Sequence, residues 1–108
     1  MIEGYREMWL MVMFDLPTNT KIERKRYSLF RKFLLTDGFE KMQFSVYSRY
    51  CPSQQHADVH IERVHGNLPS NGEIRIVQIT EHQYEKMQIF LGKKTKNVAP
   101  APRQLEMF

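Results

Sequence analysis

The chain has 108 residues, 42% of them hydrophobic and 12% aromatic, with 16 Lys and Arg against 12 Asp and Glu for a formal charge of +4. That composition excludes a disordered polymer and bounds the fold to one domain with a modest core, while the basic balance suits an anionic partner such as nucleic acid. The single cysteine, Cys51, excludes an intrachain disulfide, matches a reducing cytoplasm, and reads as a small buried residue at a strand end.

Met8 to Phe14 is an unbroken apolar run closed by Asp15-Leu16-Pro17. It is about a third of a membrane-spanning length and no secretory signal precedes it, so a cytoplasmic protein without a membrane partner is expected. Too short for an ordinary helix, the run predicts a central strand covered on both faces. Thr20-Lys21-Ile22-Glu23 matches a capping box. Tyr27, Phe30, Phe33 and Leu34 then recur at helical spacing before the stop at Asp37-Gly38, which predicts an amphipathic helix from Thr20 to Leu35.

Phe39 to Cys51 is aromatic and β-branched but too long for one strand, so it divides near Gln43 into two short ones ended by Pro52. Ser53 is the candidate N-cap for a second helix, with Ala57, Ile61, Val64 and Leu68 forming one apolar stripe. Glu73 to Thr80 predicts a further strand. A turn or single helical turn through His82 and Glu85 leads to an extra C-terminal strand at Met87 to Leu91. After Gly92 the composition changes to Lys93-Lys94-Thr95-Lys96 and a Pro-Ala stretch. Residues 1–92 are thus expected to form the folded domain and 93–108 a flexible tail.

The order β-α-β-β-α-β is the α+β, ferredoxin-like, two-layer sandwich. Both helices occupy one face of such a sheet, yet the first strand is apolar on both sides. A second copy of the chain, packed face to face in a two-fold homodimer, is the expected cover. Trp9, Met11, Met13 and Tyr47 are the candidates to line that face or the core.

Asp15, at the end of an apolar strand, has the chemistry to bind a hard cation such as Mg²⁺. One carboxylate is thin for metal-assisted phosphodiester cleavage, and a two-fold axis would pair it with its twin. The plainer alternative is a hydrogen bond to backbone amides of its own turn. The first helix carries Lys21, Arg24, Lys25, Arg26, Arg31 and Lys32 against one acid, Glu23, a face able to track phosphates or simply to be solvated. Arg49 and Arg75 lie on strands, where they pair with acids or reach a phosphate. His56 and His60 share a helix face but lack a third ligand for zinc and read as solvent-facing polar residues. No Ser/His/Asp constellation or glycine-rich phosphate loop is present to support those chemistries.

Taken together, Met11-Val12-Met13-Phe14-Asp15-Leu16-Pro17-Thr18, Glu23-Arg24-Lys25, Phe30-Arg31-Lys32 and Gln43-Phe44-Ser45-Val46-Tyr47-Ser48-Arg49 closely resemble the CRISPR-associated Cas-two family, most of all members from Cas-nine systems. The resemblance covers roughly Met8 to Leu91. It implies a ferredoxin-like homodimer seated between two dimers of the integrase Cas-one, holding the double-stranded middle of an incoming DNA spacer during CRISPR adaptation. On that reading Lys21, Arg24, Lys25, Arg31, Lys32 and Arg49 contact nucleic acid. The family is also classed as Mg²⁺-dependent endoribonucleases acting on single-stranded RNA. Asp15 matches its metal-binding aspartate, and Met87 to Leu91 matches a last strand that joins the partner's sheet. The alternatives are therefore a DNA-holding scaffold, a metal-dependent nuclease, and a regulatory RNA-binding module with no CRISPR role. Within the tail, Gln104, Leu105, Met107 and Phe108 form an apolar peptide suited to adding to another protein's sheet edge, with Cas-one the expected partner. The peptide also resembles those that bind bacterial sliding clamps.

Overall fold

In a computed structural model, residues 6–92 are described. The expected tail, with its docking peptide Gln104, Leu105, Met107 and Phe108, lies outside them. The elements run β1 (Met8–Asp15), α1 (Lys21–Thr36), β2 (Glu40–Gln43), β3 (Val46–Cys51), α2 (Gln54–His65), β4 (Glu73–Thr80) and α3 (Glu81–Glu85). One four-stranded sheet forms in the order β2-β3-β1-β4, with every adjacent pair antiparallel. This is the α+β, ferredoxin-like arrangement anticipated from the order of elements.

β1 is central, and its burial alternates with the pleat. Met8, Leu10, Val12 and Phe14 point into the helix layer and are buried against Phe30 and Leu34 of α1 and Ala57 and Val64 of α2. Each large apolar side chain so enclosed contributes about 1.5–3 kcal/mol. Tyr47 and Cys51 of β3 join this core, and Cys51 is fully buried as expected. Burial pushes its thiol pKa up, so it stays protonated and unreactive.

The capping box at the start of α1 is present in both halves: Glu23 N donates to Thr20 Oγ1, and Thr20 N donates to the Glu23 carboxylate. After the helix, Gly38 takes φ 93°, and a Cβ there would meet the Arg49 guanidinium at 3.0 Å. Gly72, with φ 95°, lets the chain entering β4 pass over the end of β1. A Cβ at that position would come within 2.4 Å of Leu16 Cδ2 and 2.7 Å of the Asp15 carbonyl oxygen.

Two expectations need correction. Met87 to Leu91 forms no strand in this chain. A strand needs a ladder partner, and one copy offers those residues none. Leu68 does not continue the apolar stripe of α2. The helix closes at His65 with Gly66 as its C-cap, which leaves Leu68 on the exposed connection to β4.

The second sheet face is only partly covered. α3 folds over one end of it: Tyr84 stacks on Trp9 with centroids 3.8 Å apart, Trp9 Nε1 donates to Glu81, and Tyr84 lies over Ser48. Beyond that cover the cross-strand pair Met11–Val77 and the set Met13–Val46–Arg75 continue on the same face, and Val77 is exposed. Ile89, Phe90 and Leu91, just past α3, are exposed as well.

Candidate nucleic-acid interface

α1 carries the strongest charge feature of the chain. Lys21, Arg24, Lys25, Arg31 and Lys32 are all exposed. Their spacing of three, one, six and one places them along one side of the helix. The stripe runs for about 16 Å at the helical rise of 1.5 Å per residue. Apart from Arg24, none makes a hydrogen bond or ion pair among the described residues. Arg24 Nη1 donates to the carbonyls of Thr18 and Asn19 at 3.1 and 3.2 Å, tying the helix start to the turn after β1. Free cations in a row at helical spacing are suited to a phosphate backbone.

Arg49 stands apart from this row. Its Nε donates to the Asp37 carbonyl at 2.8 Å and its Nη1 to the Tyr50 carbonyl at 2.8 Å. The guanidinium thus fastens β3 to the end of α1, where helix termini leave carbonyls without partners. Arg75 pairs with Glu73 at 3.2 Å on the exposed end of β4.

Asp15 is exposed at the end of β1, opposite Glu73 of β4. The expected hydrogen bonds to its own turn are not made among the described residues. No group of three or more His, Cys, Asp or Glu side chains able to hold a metal occurs among them either. One chain therefore offers Mg²⁺ at most Asp15 and the Glu73 opposite it, which is itself paired with Arg75, and that does not amount to a site.

His56 and His60 depart from the solvent-facing reading. His60 is buried, with Nδ1 hydrogen-bonded to Asp37 Oδ2 at 2.7 Å, while Arg63 Nη1 donates to Asp37 Oδ1 at 2.9 Å. Together with Arg49, these residues make Asp37 a joint between α1, β3 and α2. Spacing could not reveal this, because the partners come from two other elements, β3 and α2. His56 sits against His60 with ring centroids 4.7 Å apart, and its Nδ1 is buried without a hydrogen bond.

Desolvation pushes the His56 pKa below the ordinary histidine value. His60, Arg49 and Arg63 add to that shift and Asp37 opposes it. The unfolded chain therefore takes up this proton first as pH falls. Stability is full above the unfolded value of about 6.5 and declines as pH drops from there toward the folded value. Urea midpoints measured between pH 7.5 and 5 should fall more for wild type than for His56→Gln. Parallel curves would remove His56 as the cause.

Residues 8–87 match the family model described as CRISPR associated protein Cas2. The chain is 48% identical over 107 residues to the CRISPR-associated endoribonuclease Cas2 of Flavobacterium psychrophilum, covering 99% of this chain and 93% of that one. It is 46% identical to the protein of the same name from Parvibaculum lavamentivorans, covering 94% and 100%. A solved structure described as the crystal structure of cas2 superposes with a TM-score of 0.59 at 16% identity, covering 94% of this chain and 98% of that one, a likeness of fold alone. No helix among the described residues is long and apolar enough to cross a membrane. With the family model spanning β1 through α3 and relatives of this name alike over nearly their whole length, the chain belongs to the CRISPR-associated Cas2 family.

Proposed function

We propose that the protein is a homodimeric scaffold of CRISPR adaptation, holding duplex DNA in the cytoplasm between dimers of the integrase Cas-one. The observation that carries this reading is the row of exposed cations on α1, which lack acidic partners among the described residues. Two copies joined through the uncovered sheet faces would present two such rows, and a duplex engaging both would lose affinity steeply with salt. The same union would cover Met11, Met13, Val46 and Val77 and would offer Ile89 to Leu91 a neighbouring sheet. Gln104, Leu105, Met107 and Phe108 would then serve as the peptide that docks on Cas-one.

A second reading follows from the relatives' name, CRISPR-associated endoribonuclease: an enzyme that, on the resemblance described above, would use a divalent cation to cut single-stranded RNA. It has one supporting residue per chain, Asp15, and would need the second copy's Asp15 to assemble a Mg²⁺ site.

An integration assay with the cognate integrase separates the two, comparing wild type with Asp15→Ala. Holding predicts integration within about twofold of wild type, because Asp15 is exposed and outside the core. A fall of tenfold or more, with dimer mass unchanged, would reject a purely holding role. RNA cleavage that disappears in the same variant would establish the second activity.

A further inference from the structure

Phe44 is the residue that neither the core nor the cation row accounts for. It stands at the tip of the β2–β3 hairpin and is 74% exposed, so burial of its own ring does not explain an aromatic side chain there. Its placement is nevertheless well held. Ser45, the next residue, adopts φ 66°, a left-handed conformation that costs a non-glycine residue of order 1 kcal/mol. Phe14 N donates to the Ser45 carbonyl at 3.0 Å, and Tyr27 Oη and Ser45 Oγ are hydrogen-bonded at 3.1 Å. One face of Phe44 rests on the Tyr27 ring, with centroids 5.8 Å apart and planes 22° from parallel.

The surroundings are cationic. Lys41 Nζ lies 5.9 Å from the Phe44 ring centroid. Tyr27 sits beside the cation row, with Arg24 three residues before it and Arg31 four after it, both neighbours on the helix surface. A protein-docking anchor would be expected in surroundings poor in lysine, since the cores of protein interfaces are depleted of charge. An aromatic face interleaved with cations is instead the arrangement that takes a base by stacking and its phosphates by charge. A base within a duplex already stacks on both sides, which leaves an unpaired one as the fitting occupant.

We propose that Phe44, backed by Tyr27, is a stacking platform for one unpaired nucleobase of a strand whose phosphates lie on the α1 cations. This deepens the nucleic-acid reading given above and rests on it. Phe44 would thereby distinguish nucleic acid with a single-stranded end from a blunt duplex.

The test uses the full chain and three DNA probes: a blunt duplex, the same duplex with a short single-stranded end containing 2-aminopurine, and that single strand alone. The tailed and single-stranded probes are repeated in RNA. Phe44→Ala and Phe44→Leu should each bind the tailed and single-stranded probes roughly 5- to 100-fold more weakly. Both should bind the blunt duplex as wild type does and lose the 2-aminopurine quenching, whereas Phe44→Trp should retain quenching and affinity. Response of only the DNA or only the RNA probe assigns the strand. Unchanged affinity in Phe44→Ala, retained binding in Phe44→Leu, or an equal loss on blunt and tailed probes overturns the platform. Absence of blunt-duplex binding by wild type would instead sink the duplex-holding reading, while the single strand still tests Phe44.

Discussion

Reversing charge at Arg24, Lys25, Arg31 and Lys32 to glutamate should lower duplex affinity by at least about three orders of magnitude at 0.1 M salt. The size follows from counterion release. Each phosphate contact contributes about 0.9 to the slope of log K against log salt, so four lost contacts on one chain remove roughly 3 to 4 from that slope, and a duplex engaging both rows loses about twice as much. The same loss should appear for every sequence tested, because phosphate contacts carry no base information. All four side chains are exposed, and only Arg24 has a structural bond to lose, to Thr18 and Asn19. A triple variant that leaves Arg24 in place keeps that anchor and should still lose at least about two orders. Fluorescence anisotropy across a salt series is the measurement. Affinity and slope both unchanged in the quadruple variant would show that α1 is a solvated face and nothing more.

Val77→Asp should separate the two copies. Val77 lies on the uncovered sheet face, beside Met11 of β1 in the ladder, and is exposed in the single chain. The substitution therefore leaves the monomer's helix-side core untouched. In a face-to-face dimer the same carboxylate would be taken out of water without a partner, costing at least about 2 kcal/mol. A two-fold interface contains the residue twice, so the dissociation constant should rise by roughly a thousandfold. Sedimentation at micromolar concentration should then show single chains with the far-ultraviolet signal of wild type. A variant that stays dimeric would place the union on another surface, and Val77 would be only a surface valine.

These two variants probe different links between sequence and assembly, and the sequence was not equally informative about them. The cation row was legible because charge and helical period are local: Thr20 and Glu23 announce the helix start, and Lys21 to Lys32 fall on it without reference to anything distant. The strand Met8–Asp15 was legible for the same reason, an apolar run ending in Asp-Leu-Pro. Asp37 was hidden because its importance arises only when His60, Arg63 and Arg49 are brought to it from two other elements. The helical spacing alone therefore points His60 at solvent, whereas it is buried against Asp37. Phe44 was lost within an aromatic-rich run, since nothing local separates a ring at a hairpin tip from one in a strand; its exposure depends on the left-handed turn at Ser45. Met87 to Leu91 has strand composition but no ladder within the chain, so its expected strand depends on a second molecule. Arg49 has the charge of a phosphate-binding cation, yet its donors hold backbone carbonyls at the junction of α1 and β3.

The holding account requires two chains acting on one duplex, which light scattering can weigh directly. Wild-type protein should run at twice the chain mass by itself, and its complex with a blunt duplex should contain two chains per DNA that come off together as salt is raised. Single chains that ignore the duplex at low salt would contradict the account at its root.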